Sequence, residues 1–243
     1  MLNQIDYYKD ASVRSRIYEF IEGAEHIVRY GGTEVSNNNQ VSYYSAPISH
    51  LNGMMNDGVD VFRSLLDNNG TLISLDIDYY NSKQPNEVYL NAVDVYKNRI
   101  EPVRRLVKNV YHDFGIKYLE VITGCGYHYH SMWPLRNEHW QLEKIGQLED
   151  TLKMQYLNAE GQHKLPSTPI YKGLAHSGAF RLLQFVSLEI IRRESGKGPV
   201  QFCDVAMSQQ EGVSLDLTGY ADPIYTRCVR VPFSTYQKHT RGR

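Results

Sequence analysis

The run LISLDIDYY, residues 72–80, sets Asp76 and Asp78 two apart among Ile73, Leu75 and Ile77. On a strand, residues i and i+2 share a face, so two carboxylates there project side by side. Like charges that close repel unless one is protonated or a cation lies between them. Hard divalent ions such as Mg2+ and Mn2+ take oxygen ligands of this kind. A plainer reading is a strand with one wet face, both aspartates solvated and the apolar residues turned inward. The pair alone leaves both readings open.

Two further stretches carry chemistry. TGCGYHYH, residues 123–130, follows an apolar run and puts two glycines ahead of His128 and His130. Glycine permits close backbone approach or positive φ. The histidines share a face and suit three roles: metal ligands, ordinary hydrogen-bonded side chains, or a phosphate contact beside a glycine turn. VSLDL, residues 213–217, places Asp216 in another apolar strand, ahead of Arg227, Arg230, Ser234 and Lys238. From Pro223 to Arg243 there is no acidic residue, while Arg227, Arg230, Lys238, Arg241 and Arg243 are present. That is a solvated basic tail or a surface for phosphates. The chain's 19 tyrosines serve cores and surfaces, and exposed ones can stack on bases.

The elements that must position these residues follow from periodicity. Apolar spacing predicts helices over 12–30 (Ser12 as N-cap, Gly31-Gly32 as stop), 57–66, 87–114 with a kink at Pro102, 139–158 and 177–194 (Ser177 and Gly196 as caps). A polar loop over 35–44 leads into a strand, and further strands are expected at 71–80, 118–124, 127–134, 213–217 and 225–232. Helices and strands alternate without a repeat, a mixed class. The 243 residues suit one large domain or two packed modules.

Composition excludes more than it selects. Net charge is −1, so global charge does not favour nucleic acid. No apolar run approaches a membrane span and the first residues lack a signal-peptide core, so an intracellular protein is expected. Three scattered cysteines fit a reducing compartment. Cys125 and His128 form half of a zinc spacing whose second half is missing nearby.

Taken in order, the motifs resemble the archaeo-eukaryotic primase superfamily, the primase-polymerases. Its pattern is a hydrophobic Asp-x-Asp/Glu, a small-x-His, and a hydrophobic-Asp, often followed by an Arg-x-Pro-x-Ser-like stretch and a lysine. The matches are Asp76 and Asp78, Gly126-Tyr127-His128, Leu215-Asp216, then Arg230, Pro232, Ser234 and Lys238. Tyr236 stands where relatives often have histidine, Cys125 where a basic or polar residue is common, and no zinc knuckle is evident.

The resemblance implies an α+β fold. An RRM-like antiparallel sheet (71–243) would form the catalytic core, packed with an N-terminal α/β module (1–70), in one catalytic domain cut from a longer protein. It implies a nucleotidyltransferase, a DNA primase or primase-polymerase, adding NTP or dNTP on a single-stranded DNA template. Asp76, Asp78 and Asp216 would be catalytic and hold Mg2+ or Mn2+. His128, Arg230, Ser234 and Lys238 would contact the nucleotide, and Arg104, Arg105 and Lys108 would line a template path. A helicase or helical priming domain on the full-length chain would be the partner, with a plasmid or phage among the sources. Two other classes compete. A metal-dependent nucleotide-sugar glycosyltransferase also uses Asp-x-Asp but leaves His128 and Asp216 unassigned. A catalytically weak single-strand-binding replication module would not need three intact acids.

Overall fold

The computed structural model describes residues 4–35, 41–68, 70–134, 142–159, 170–194, 202–203, 211–217 and 228–236. The fold is α+β, built as two compact units. The first takes residues 1–70, 159–167 and 224–243, and the second takes 71–158 and 168–223.

The first unit opens with α1 (Gln4–Tyr7) and α2 (Ala11–Ile21), followed by β1 (Ile27–Val35), β2 (Val41–Ala46), α3 (Leu51–Asn56) and β3 (Asp60–Ser64). Asp10, not Ser12, caps α2: its carboxylate accepts from the Ser12 amide at 2.8 Å. The helix expected over 12–30 stops at Ile21. Gly23 follows at φ +82°, and a Cβ there would stand 2.6 Å from the Asp67 carboxylate. Ile27, Val28 and the two glycines meant to end a helix lie in β1 instead. The 57–66 helix is also corrected. Gly58, at φ +66°, ends the turn after α3, and Asp60–Ser64 form a strand buried on both faces, which erases the alternation that would have marked it.

At the centre of this unit lies Arg63, fully buried, with Nη2 2.8 Å from Asp67 Oδ2 and Nη1 2.6 Å from the Phe20 carbonyl. The pair is dry, so each charge depends on the other.

The second unit begins at β4 (Gly70–Asn81), then α4 (Glu87–Leu90), α5 (Ala92–Val95), a π turn at Tyr96–Ile100 and α6 (Glu101–Asp113). The helical path runs from Ala92 through the π turn into α6 with Pro102 directly after that turn, so the irregularity expected at Pro102 is a π turn and the break in the run lies at Asn91. There follow β5 (Leu119–Ile122), β6 (Gly126–Pro134), α7 (Leu142–Ile145), α8 (Asp150–Ala159), α9 (Ile170–Glu194), β7 (Phe202–Cys203) and β8 (Glu211–Leu215). Ser177 lies inside α9 rather than capping it; its hydroxyl bonds the Gln147 amide and carbonyl at 3.0 and 2.7 Å. Gly196 lies outside the described residues. No helix among those described is long and apolar enough to cross a membrane.

The sheet order is β5-β6-β4-β8-β7. With α6 between β4 and β5, and α9 between β6 and β8, this is the split βαββαβ arrangement of an RRM-like sheet. Val103, Val107 and Val110 of α6 and Ala179, Leu183 and Val186 of α9 pack with Leu75, Ile77, Tyr79, Val213 and Leu215. The helices therefore cover one face, and the residues between those strand positions belong to the other. Finally β9 (Cys228–Arg230) returns to the first unit and pairs with β3, completing the order β2-β1-β3-β9.

Replacing Asp67 with Asn strands the buried Arg63 guanidinium. A stability loss of about 3 kcal/mol is expected, read from urea unfolding monitored within the first unit.

Candidate active site

The face of β4 turned away from the helices carries Ser74, Asp76, Asp78 and Tyr80. Antiparallel pairing sets Ile77 opposite Leu215 and Asp78 opposite Ser214. One step along, the Asp216 amide donates to the Asp76 carbonyl at 3.0 Å. Asp76 and Asp216 are thus cross-strand neighbours on one face, with Cβ atoms about 5 Å apart by strand geometry. Asp78 and Asp216 are exposed and Asp76 is partly so. Ser74 Oγ donates to Asp76 Oδ1 at 2.6 Å and fixes that carboxylate's rotation.

His128 joins from β6. Its Nε2 stands 3.7 Å from Asp76 Oδ2. His130, buried, meets the His128 ring edge to face with centroids 5.7 Å apart. The glycine ahead of them is required by contact rather than by φ. A Cβ on Gly126 would stand 1.8 Å from the Ile77 carbonyl oxygen, so β6 can lie this close to β4 only without a side chain there. The turn before it is tied from within: Thr123 Oγ1 accepts from the Gly126 amide at 2.9 Å, and Tyr96 donates to the Thr123 carbonyl at 2.6 Å.

Burial, then Tyr127, Cys125 and Asp78, push the Tyr96 hydroxyl up to about 12. Burial also pushes the Cys125 thiol up, against a bond from Tyr89 and with Asp78 adding to the rise.

The donor set suits a hard divalent ion: three carboxylates at adjoining positions of one solvent-reaching face. Among the described residues no three acidic, histidine or cysteine groups already surround a single point. Strand pairing places their backbones at neighbouring positions of that face.

Arg104, Arg105 and Lys108 lie on the other face of the sheet. Arg104 belongs to α6 on the covered side. Its Nε and Nη2 hold Glu120 at 2.8 Å each, Nη1 reaches Glu101 at 3.0 Å, and its guanidinium lies 5.1 Å from the Tyr127 ring centroid. Arg105 and Lys108 face the same two glutamates at 3.5 and 4.0 Å. All three belong to the helix that covers the face opposite the acids, and Arg104 is the one committed to both glutamates. Arg230 and Ser234 belong to the first unit. The Ser234 hydroxyl accepts from the Val61 amide at 2.7 Å and lies 3.2 Å from the Tyr8 hydroxyl. Lys238 is outside the described residues. Ser74 was overlooked, although its place two before Asp76 already set it on the acid face.

The fold is similar to that of the polymerase domain of Mycobacterium tuberculosis Ligase D, solved in complex with DNA. The TM-score is 0.53 at 13% identity, over 95% of this chain and 74% of that one. No protein-family model and no curated protein matches the sequence. At that identity the likeness establishes the fold.

Two outcomes follow. Gly126→Ala forces β6 off β4 and is expected to cost about 3 kcal/mol in chemical denaturation. Arg104→Gln leaves Glu120 without its fork and should cost about 1–2 kcal/mol near neutral pH. Burial alone would raise the Glu120 carboxyl, but Arg104 and Lys108 hold it below its ordinary range. A depressed carboxylate contributes stability above its unfolded value and loses it as pH falls through the folded one. The gap between wild type and Arg104→Gln should therefore narrow on acidification below about pH 4, measured as urea midpoints across pH.

Proposed function

We propose that this chain is a nucleotidyltransferase of the primase-polymerase kind, extending or starting a strand on a single-stranded DNA template with NTP or dNTP. The observation that carries the reading is the cross-strand pairing of Asp76 with Asp216 on the face that also holds Asp78 and His128. The fold shared with a polymerase domain supports it.

Asp76, Asp78 and Asp216 would hold Mg2+ or Mn2+. When bound, such an ion supplies positive charge that acidifies an attacking hydroxyl and neutralises a triphosphate. Ser74 keeps Asp76 turned to the site, so its lone pairs stay aimed as the ligand arrives. His128 offers an imidazole N–H to a phosphate oxygen beside Asp76. The reaction joins a hydroxyl oxygen to the α-phosphorus and releases pyrophosphate. Arg230 and Lys238 would supply a guanidinium fork and a point charge to phosphates. Ser234 then acts as an anchor for that segment rather than as a ligand contact. Cytoplasmic work beside a helicase or helical priming domain completes the reading.

Asp76→Asn and Asp216→Asn are each expected to lower Mn2+-dependent nucleotide incorporation on a primed single strand at least about 100-fold, within the range lost when an essential charge-stabilising group is removed. Folding should be retained by circular dichroism. Full incorporation by either variant would refute the assignment. Template-independent turnover of a sugar nucleotide would transfer the acids to glycosyl chemistry.

A further inference from the structure

The segment after β9 holds an unusual expenditure of strain. Val231 to Ser234 form a β-turn closed by the Ser234 amide on the Val231 carbonyl at 2.9 Å. Pro232 occupies its second position and Phe233 its third, with φ +65°. A type II turn places glycine or asparagine there, because a side chain at positive φ crowds the backbone. Phe233 is the one non-glycine residue with positive φ among those described. Burial does not offset the strain, for the side chain is 53% exposed. Backbone outliers of this kind cluster at ligand-contacting positions.

Three residues on, Tyr236 is also exposed, at 44%. The Arg230 guanidinium lies 4.2 Å from its ring centroid, close enough for a cation–π contact that restrains the ring. Between the two aromatics the chain is pinned. Ser234 Oγ accepts from the Val61 amide at 2.7 Å, Thr235 Oγ1 donates to Asp60 at 2.8 Å, and the Thr235 amide donates to the Tyr8 hydroxyl at 2.9 Å. Two exposed rings are thus presented from a rigid base, in a stretch from Pro223 to Arg243 with five Lys and Arg and no acid.

We propose that Phe233 and Tyr236, the latter steadied by Arg230, form a stacking platform for unpaired bases of a single-stranded nucleic acid. Every base has a π-face, aromatic rings stack on it without regard to sequence, and Arg230 together with the Lys and Arg of the same sequence stretch supplies positive charge for phosphates. Duplex bases are stacked on one another and cannot use such a platform. The identity of the ligand rests on the reading of the chain as a template-dependent enzyme, but the platform acts without the acid cluster.

The test is fluorescence anisotropy in EDTA, which silences metal chemistry, with labelled oligothymidine, an abasic strand of the same length and a blunt duplex. Wild type should bind oligothymidine more tightly than the abasic strand or the duplex. Phe233→Gly relieves the positive φ while removing the ring, so it should melt at a higher temperature yet bind oligothymidine about tenfold more weakly. Its affinity for the abasic strand should match wild type. Phe233→Tyr should restore oligothymidine binding. Unchanged binding by Phe233→Gly, a lower melting temperature for it, equal wild-type affinity for abasic and base-bearing strands, or no wild-type binding to oligothymidine would each overturn the platform. None of these outcomes touches the incorporation result for Asp216→Asn, so the two readings fail separately.

Discussion

Everything at the acid face depends on one contact between two backbones. Gly126 lies against the Ile77 carbonyl with no space for a methyl group. Ile77 is the residue between the two aspartates, so this contact fixes the depth at which β6 meets β4. His128 follows two residues later and falls beside Asp76 as a direct result. The turn bonds from Thr123 and Tyr96 hold the approach from the other side. A strand pair with ordinary side chains at this point would set the histidine elsewhere.

The sheet also separates its charges by face. On the helix side, Arg104 neutralises Glu101 and Glu120 and lies over Tyr127. Further along, the Tyr79 hydroxyl donates to Glu87 at 2.7 Å and to Glu211 at 3.2 Å, and Arg99 reaches Glu211 at 2.9 Å. Those carboxylates have their cations and donors inside the protein. On the other face, Asp76 has a serine and a histidine nearby, and Asp78 and Asp216 reach solvent. One acidic set is thus tied into the architecture, while the other lies on a face that reaches solvent. Tyr79 and Tyr80, adjacent in sequence, divide along the same line: Tyr79 is core with its hydroxyl bonded to carboxylates, and Tyr80 shares the acid face opposite Gly212.

The parts of this site legible in the sequence were those governed by a period of two. Asp76 with Asp78, and His128 with His130, share faces because strands alternate, and β4, β6 and β8 lie close to where alternation put them. Ser74 was equally readable by that rule. Periodicity failed where burial was two-sided or a helix was broken. The 12–30 run continued its apolar rhythm past Ile21 because Ala24, Ile27 and Val28 are buried by β1 and its neighbours, not by a helix. The 87–114 run hid a π turn, which shifts the register of every later residue by a fraction of a turn. No local signal could show that Ser234 bonds residue 61, or that Arg104 finds Glu120 rather than a phosphate; both depend on contacts between distant segments.

The pairing of β3 with β9 also has a consequence in time. Ser64 registers with Cys228, so the inner edge of β3 has no partner until the ribosome has made more than half of the chain beyond it. At about 5–20 residues per second that wait is roughly ten to thirty seconds. All strands of the second sheet emerge within it. During that interval the nascent first unit displays a bare strand edge bearing Val61 and Phe62, the kind of surface that recruits other chains. The order in which the first unit can close is thereby written into the chain's connectivity, independent of how stable the finished fold is.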